Sequence, residues 1–131
     1  MAFLSWHDRY GMGHPEIDAQ HRMLFELVNH FDDVVKMGLP EESARVFDDL
    51  IASTRAHFQF EENLIEAAGF PQAFSHKKIH AELLSQVQDM QLKMKRGGHL
   101  SSIAIARFLA DWLTNHIIRE DREYKPYLKT E

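Results

Sequence analysis

The fold class this sequence predicts is all-α: an up-down-up-down four-helix bundle with an irregular N-terminal arm. Three observations predict it. Long stretches place their seam residues at alternating steps of three and four, the spacing of one helical face. Helix-stopping residues separate these stretches: Gly38 and Pro40, Gly69 and Pro71, Gly97-Gly98, and finally Pro126. No stretch shows the period-two alternation of a half-buried strand. Long helices joined by tight connections pack as antiparallel neighbours.

Residues 1–16 hold glycines, a proline and aromatics without a sustained period, and read as an arm anchored by Trp6 and Tyr10. Helix one starts at Ile17 and runs its seam through His21, Leu24, Val28, Phe31 and Val35 before Gly38 stops it. Pro40-Glu41-Glu42 opens helix two with a proline at the first turn and acids where the helix dipole favours them. Its seam is Val46, Leu50, Ser53, His57, Glu61, Leu64 and Ala68. Gly69 suits a helix C-cap and Pro71 the first turn of helix three, whose seam is His76, His80, Leu83, Val87, Met90 and Met94. Helix four is expected from about Leu100 to about Glu123, with Ile105, Leu109, Trp112 and His116 on its seam. The expected organisation is one domain over 1–131: arm 1–16, bundle 17–125 and C-terminal tail 126–131.

A length of 131 residues suits one domain with a real core. With 15 Lys and Arg against 20 Asp and Glu, nothing points to a nucleic-acid or anionic-membrane partner. The absence of cysteine excludes a disulfide framework, a thiolate metal site and a cysteine nucleophile. The N-terminal residues lack a basic region followed by an apolar run, and charges such as Arg107 and Asp111 interrupt the apolar segments before they reach spanning length. A cytoplasmic protein without membrane insertion is expected.

The seams carry the chemistry. One histidine on an apolar seam is ordinarily a packed core residue. Here every helix has one, helix three has two, and Glu61 lies one turn from His57. Burying that many polar groups without partners would cost about 1–3 kcal/mol each, and far more for an unpaired carboxylate. Cations at the bundle centre satisfy them all, and the ligands are too many for one tetrahedral zinc, so a dinuclear site with bridging carboxylates is expected. On helix four the acid is ambiguous from geometry. Asp121 lies five residues beyond His116, roughly 140° around a regular helix, and needs either a bridging reach or a one-residue π-bulge; Glu120 lies one step closer.

Trp6, the run Glu16-Ile17-Asp18-Ala19-Gln20-His21, His57 to Glu61, His76 to His80 and His116 to Asp121 together resemble the hemerythrin family, and specifically its single-domain bacterial members. The resemblance implies a non-haem di-iron centre. In it His76, His80 and His116 would hold one iron and His21 and His57 the other, with Glu61, Asp121 and an oxo or hydroxo group as bridges. It favours Asp121 over Glu120. It also places Leu24, Trp112, Leu113 and Ile118 around an open position for dioxygen, with Phe58 as a further lining candidate.

The function so implied is reversible dioxygen binding, for transport, storage or delivery to an oxygen-consuming client enzyme, by a monomer that is not itself an enzyme. Sensing of oxygen or redox state through a separate partner protein is the alternative. Five neutral imidazoles and two carboxylates also differ from the carboxylate-rich sets of oxygen-activating di-iron bundles, and disfavour high-valent iron. Asp18, Gln20, Gln59 and Glu62 are candidates to orient the imidazoles through their outer nitrogens. His7, His14, His30 and His99 read as surface or packing residues, Lys93 to Arg96 as a solvated face, and Met90 and Met94 as core fillers.

Overall fold

The computed structural model of the chain describes residues 4–96 and 102–128, with the side chains of Ser102, Ile117 and Ile118 excepted. Four α-helices, α1 (Pro15–Lys36), α2 (Pro40–Ala67), α3 (Ala73–Lys95) and α4 (Ser102–Asn115), form an up-down-up-down bundle. Helix α1 packs on α2 and α4, and α3 packs on α2 and α4, so the four close into a ring. No strand occurs among the described residues, and no described helix is long and apolar enough to cross a membrane. The Gly97-Gly98 stop, the start of helix four near Leu100 and His99 lie outside the described residues.

Local chemistry sets each boundary. Helix α1 begins two residues before Ile17, because Pro15 occupies its first turn and the ring of His14 caps it by accepting the Ile17 N–H at 3.3 Å. His14 therefore has a capping role that its sequence position did not suggest. The turns after α1 and α2 require the left-handed backbone of Gly38 (φ 71°) and Gly69 (φ 76°). At each, the next amide reaches back to satisfy a last-turn carbonyl, Leu39 to Val34 at 3.1 Å and Phe70 to Ile65 at 3.1 Å. Pro71 lies in the turn ahead of α3 and not in its first helical turn. Pro126 likewise falls inside a short 3-10 turn, Lys125–Tyr127, that follows another at Asp121–Glu123.

Most of the expected seam positions are buried: His21, Leu24, Val28 and Phe31 on α1, Val46, Leu50, His57 and Glu61 on α2, His76, His80 and Val87 on α3, and Ile105, Leu109 and Trp112 on α4, whereas Val35, Ser53, Leu64, Ala68 and Leu83 are only half-buried. The arm is pinned by Trp6 and Tyr10, whose rings both lie 5.3 Å from that of Phe25. Met90 and Met94 pack partly buried against the main core, and the charged side chains of Lys93, Lys95 and Arg96 are exposed.

The apolar interior is split in two. The larger cluster includes Leu24, Phe58, Trp112 and Leu113 and fills one part of the bundle. A smaller one, Met12, Ile17, Ile65, Phe70 and Tyr124, closes the other end. Along α1 the order is Ile17, His21, Leu24; along α2 it is Phe58, Glu61, Ile65; along the last segment it is Leu113, His116, Asp121, Tyr124. The polar residues thus form a layer between two apolar ones.

Candidate metal centre

Seven buried side chains meet in that layer. His76, His80, His116, Glu61 and Asp121 form one group and His21, His57, Glu61 and Asp121 a second, with the donor atoms of each group within 4.8 Å of one another. These are the residues expected from the sequence, and the two groups share both carboxylates.

The carboxylate oxygens divide between the groups. Glu61 turns Oε1 toward Nε2 of His80 at 2.8 Å and of His76 at 3.0 Å, and Oε2 toward Nε2 of His57 at 3.2 Å. Asp121 turns Oδ1 toward Nε2 of His76 and His116, both at 3.1 Å, and Oδ2 toward Nε2 of His21 at 3.2 Å. Each acid therefore gives one oxygen to each group, the disposition of a bridge.

Helix four solves its spacing problem by changing pitch. Residues His116–Glu120 form a π-helical turn, and the Asp121 N–H donates to the His116 carbonyl, five residues back. Widening the turn by one residue brings Asp121 over His116, where a regular helix would have carried it off the face. Glu120, half-buried, belongs to neither group.

A metal ion fits this set. Nε2 of His80, both ring nitrogens of His116 and both oxygens of Asp121 are buried and make no hydrogen bond, although Nε2 of His80 and of His116 each lie close to a carboxylate oxygen. Donor atoms that crowd together without pointing at one another are aimed at a common third point. Buried polar groups in this state are rare unless an ion or water completes them. The set of imidazoles and carboxylates, without sulfur, suits iron or zinc.

Electrostatics agree. Burial alone would raise Glu61, but the imidazoles of His21, His57, His76 and His80 gathered around it hold it well below the usual carboxylate range. Burial and the charge of Glu61 would raise Asp121, yet His116, His21 and His76 hold it low. Burial would lower His21 and His76, but Asp121 and Glu61 outweigh it and lift them to about 9 and about 10. Burial prevails at His116, pulling it down to about 4. Without metal, protons on His21 and His76 serve as the cations that the two acids demand.

A pH dependence follows. Stability from His21 and His76 is complete below their ordinary value of 6.5 and is lost as pH rises through about 9 and about 10. The depressed His116 acts oppositely, its contribution lost as pH falls from 6.5 through about 4. Chelator-treated protein should therefore melt highest near pH 6.5 and at steadily lower temperature up to pH 10. Thermal unfolding followed by circular dichroism checks this, and a flat profile over that window would contradict it.

Two of the four candidate orienting residues reach the site. The Gln20 side-chain oxygen lies 2.6 Å from His57 Nδ1, and Glu62 Oε2 lies 2.8 Å from His80 Nδ1. Asp18 instead accepts the Met12 amide at 2.8 Å, and Gln59 bonds Asn63 at 3.1 Å. Sequence reasoning missed Tyr124, whose hydroxyl donates to Glu61 Oε2 at 2.8 Å. Burial, with the charges of Asp121 and Glu61, pushes its phenol far above the ordinary value, so it stays protonated. Its spacing of three from Asp121 was the available signal.

Apolar residues stand one turn from the ligands. Leu24, Trp112 and Leu113 are buried in the larger cluster, while the side chain of Ile118 lies outside the described residues. Phe58 stacks flat on His80, with centroids 3.8 Å apart, and meets His116 edge-on at 5.2 Å and Trp112 at 6.5 Å.

Comparison with known proteins places nearly all of the chain in one family. Residues 12–128 match the family model of the hemerythrin HHE cation binding domain. The chain is 33% identical over 129 residues to a bacteriohemerythrin of Stenotrophomonas maltophilia, covering 98% of this chain and 84% of the relative. It is 32% identical over 129 residues to the bacteriohemerythrin of Methylococcus capsulatus, covering 98% of both. A crystal structure of wild-type hemerythrin superposes with a TM-score of 0.90 at 31% identity, over 98% of this chain and all of that one. With this coverage, and with its candidate ligands gathered between two apolar layers, the chain belongs to the hemerythrin family.

Proposed function

We propose that this protein binds dioxygen reversibly at a non-haem di-iron centre and serves as a carrier, store or delivery protein for an oxygen-consuming process in the cytoplasm, acting as a monomer and not as an enzyme. The observation that carries the reading is the pair of overlapping donor groups joined by both carboxylates. His76, His80 and His116 would hold one iron and His21 and His57 the other, with Glu61 and Asp121 spanning them. Two irons so held supply a reversible two-electron exchange with dioxygen.

The chain's own residues do the rest. The second position has one histidine fewer, which leaves it room for an incoming ligand. Leu24, Trp112, Leu113 and Phe58 keep water from the layer on one side, and Ile17, Ile65 and Tyr124 on the other, which slows proton-assisted loss of reduced oxygen. The two carboxylates balance part of the cationic charge, while five neutral imidazoles give high-valent iron little support. Ferrous-loaded protein exposed to air should develop a visible charge-transfer band that disappears under vacuum and returns on repetition. A band that bleaches once and cannot be regenerated would refute the carrier reading.

A further inference from the structure

The imidazoles are not equivalent at their outer edges. Among the described residues, Glu62 is the one carboxylate within ion-pair distance of an outer ring nitrogen in the set, His80 Nδ1 at 2.8 Å. His57 meets a neutral amide, Gln20, at 2.6 Å. The outer nitrogens of His21 and His116 make no hydrogen bond. Phe58, parallel to the His80 ring within 1° and 3.8 Å away, keeps that ring from turning out of its bond. Glu62 itself is largely covered, with 15% of its side chain exposed.

We propose that Glu62 is a positioning residue that makes the two metal positions unequal, strengthening the hold of the three-histidine position on its ion and favouring the more highly charged oxidation state there. The inference rests on the di-iron reading above. A carboxylate accepting the outer N–H draws electron density through the ring and makes Nε2 a stronger donor. It also adds negative charge beside one position and not the other. A trivalent ion gains more from both effects than a divalent one. The amide at His57 fixes ring orientation without the charge.

The test uses the full chain loaded with ferrous iron, with metal affinity measured by competition against a chelator and midpoint potentials by redox titration. Glu62→Gln keeps an acceptor oxygen of the same shape and removes the charge. It should weaken metal retention by about tenfold to a hundredfold. A tenfold loss falling on the ferric form alone raises the potential by about 59 mV. Gln20→Glu should shift the potential the opposite way, and Gln59→Ala, which alters an exposed neighbour bonded to Asn63, should leave it where it was. Unchanged affinity and potential in Glu62→Gln, or an equal shift in Gln59→Ala, would overturn the assignment while leaving the di-iron reading intact. Failure of the parent chain to take up iron would overturn that reading, and this inference with it.

Discussion

Replacing Glu61 with alanine is expected to empty both metal positions and not one. Its two oxygens face different groups, Oε1 toward His76 and His80 and Oε2 toward His57, so one truncation takes a ligand from each. It also takes away half of the negative charge that the layer sets against its ions. Iron should fall from about two per chain to well below one, because a buried cation left without its counter-charge is strongly disfavoured. Glu66→Ala, at an exposed acid on the same helix, should keep the full load. Metal analysis after gel filtration, with circular dichroism to confirm the bundle, decides the matter, and two retained ions in the Glu61 variant would refute the bridging role.

The second large effect is expected at Tyr124, which is wholly buried and has two duties. Its ring packs with Met12, Ile17, Ile65 and Phe70, while its hydroxyl donates to Glu61 at 2.8 Å. Tyr124→Phe keeps the ring and leaves Glu61 one donor short, a loss of about 1–3 kcal/mol. Tyr124→Ala also opens a void at the closed end of the bundle, for a total of about 3–5 kcal/mol, and lets water approach the layer. Urea titration of the metal-free proteins should rank parent above phenylalanine above alanine. A phenylalanine variant as stable as the parent would remove the hydroxyl from the account. In the iron-loaded protein the alanine variant should oxidise irreversibly fastest.

How much of this was legible in the sequence depended on whether a residue's partner lay within one helix. His57 and Glu61, or His76 and His80, sit four apart on regular helices, so the pairs could be read directly. The bundle followed from the same period and from Gly38 and Gly69. Asp121 could not be told from Glu120 on spacing, since nothing in His116-Ile117-Ile118-Arg119-Glu120 announces a change of pitch. The family resemblance selected Asp121, and the π turn supplies the physical reason. Contacts between helices were the least visible. Gln20 and Glu62 could be named as candidates, but Asp18 and Gln59 looked equally good, because the choice depends on how α1 and α3 rotate against α2. Tyr124 reaches Glu61 across 63 positions of sequence, and its spacing of three from Asp121 hinted at a shared face but not at that partner.

The wholly buried side chains of α3 are His76, His80 and Val87. Where the other helices are stitched in by rows of aliphatic and aromatic groups, this one hangs on two imidazoles and a valine, with Leu83, Leu84, Met90 and Met94 contributing only partly covered surface. Metal held by His76 and His80 would thus be a structural rivet as much as a functional device: a chain without it should loosen along one stave first. Protease added to metal-free protein should then cut within that stave before the other three.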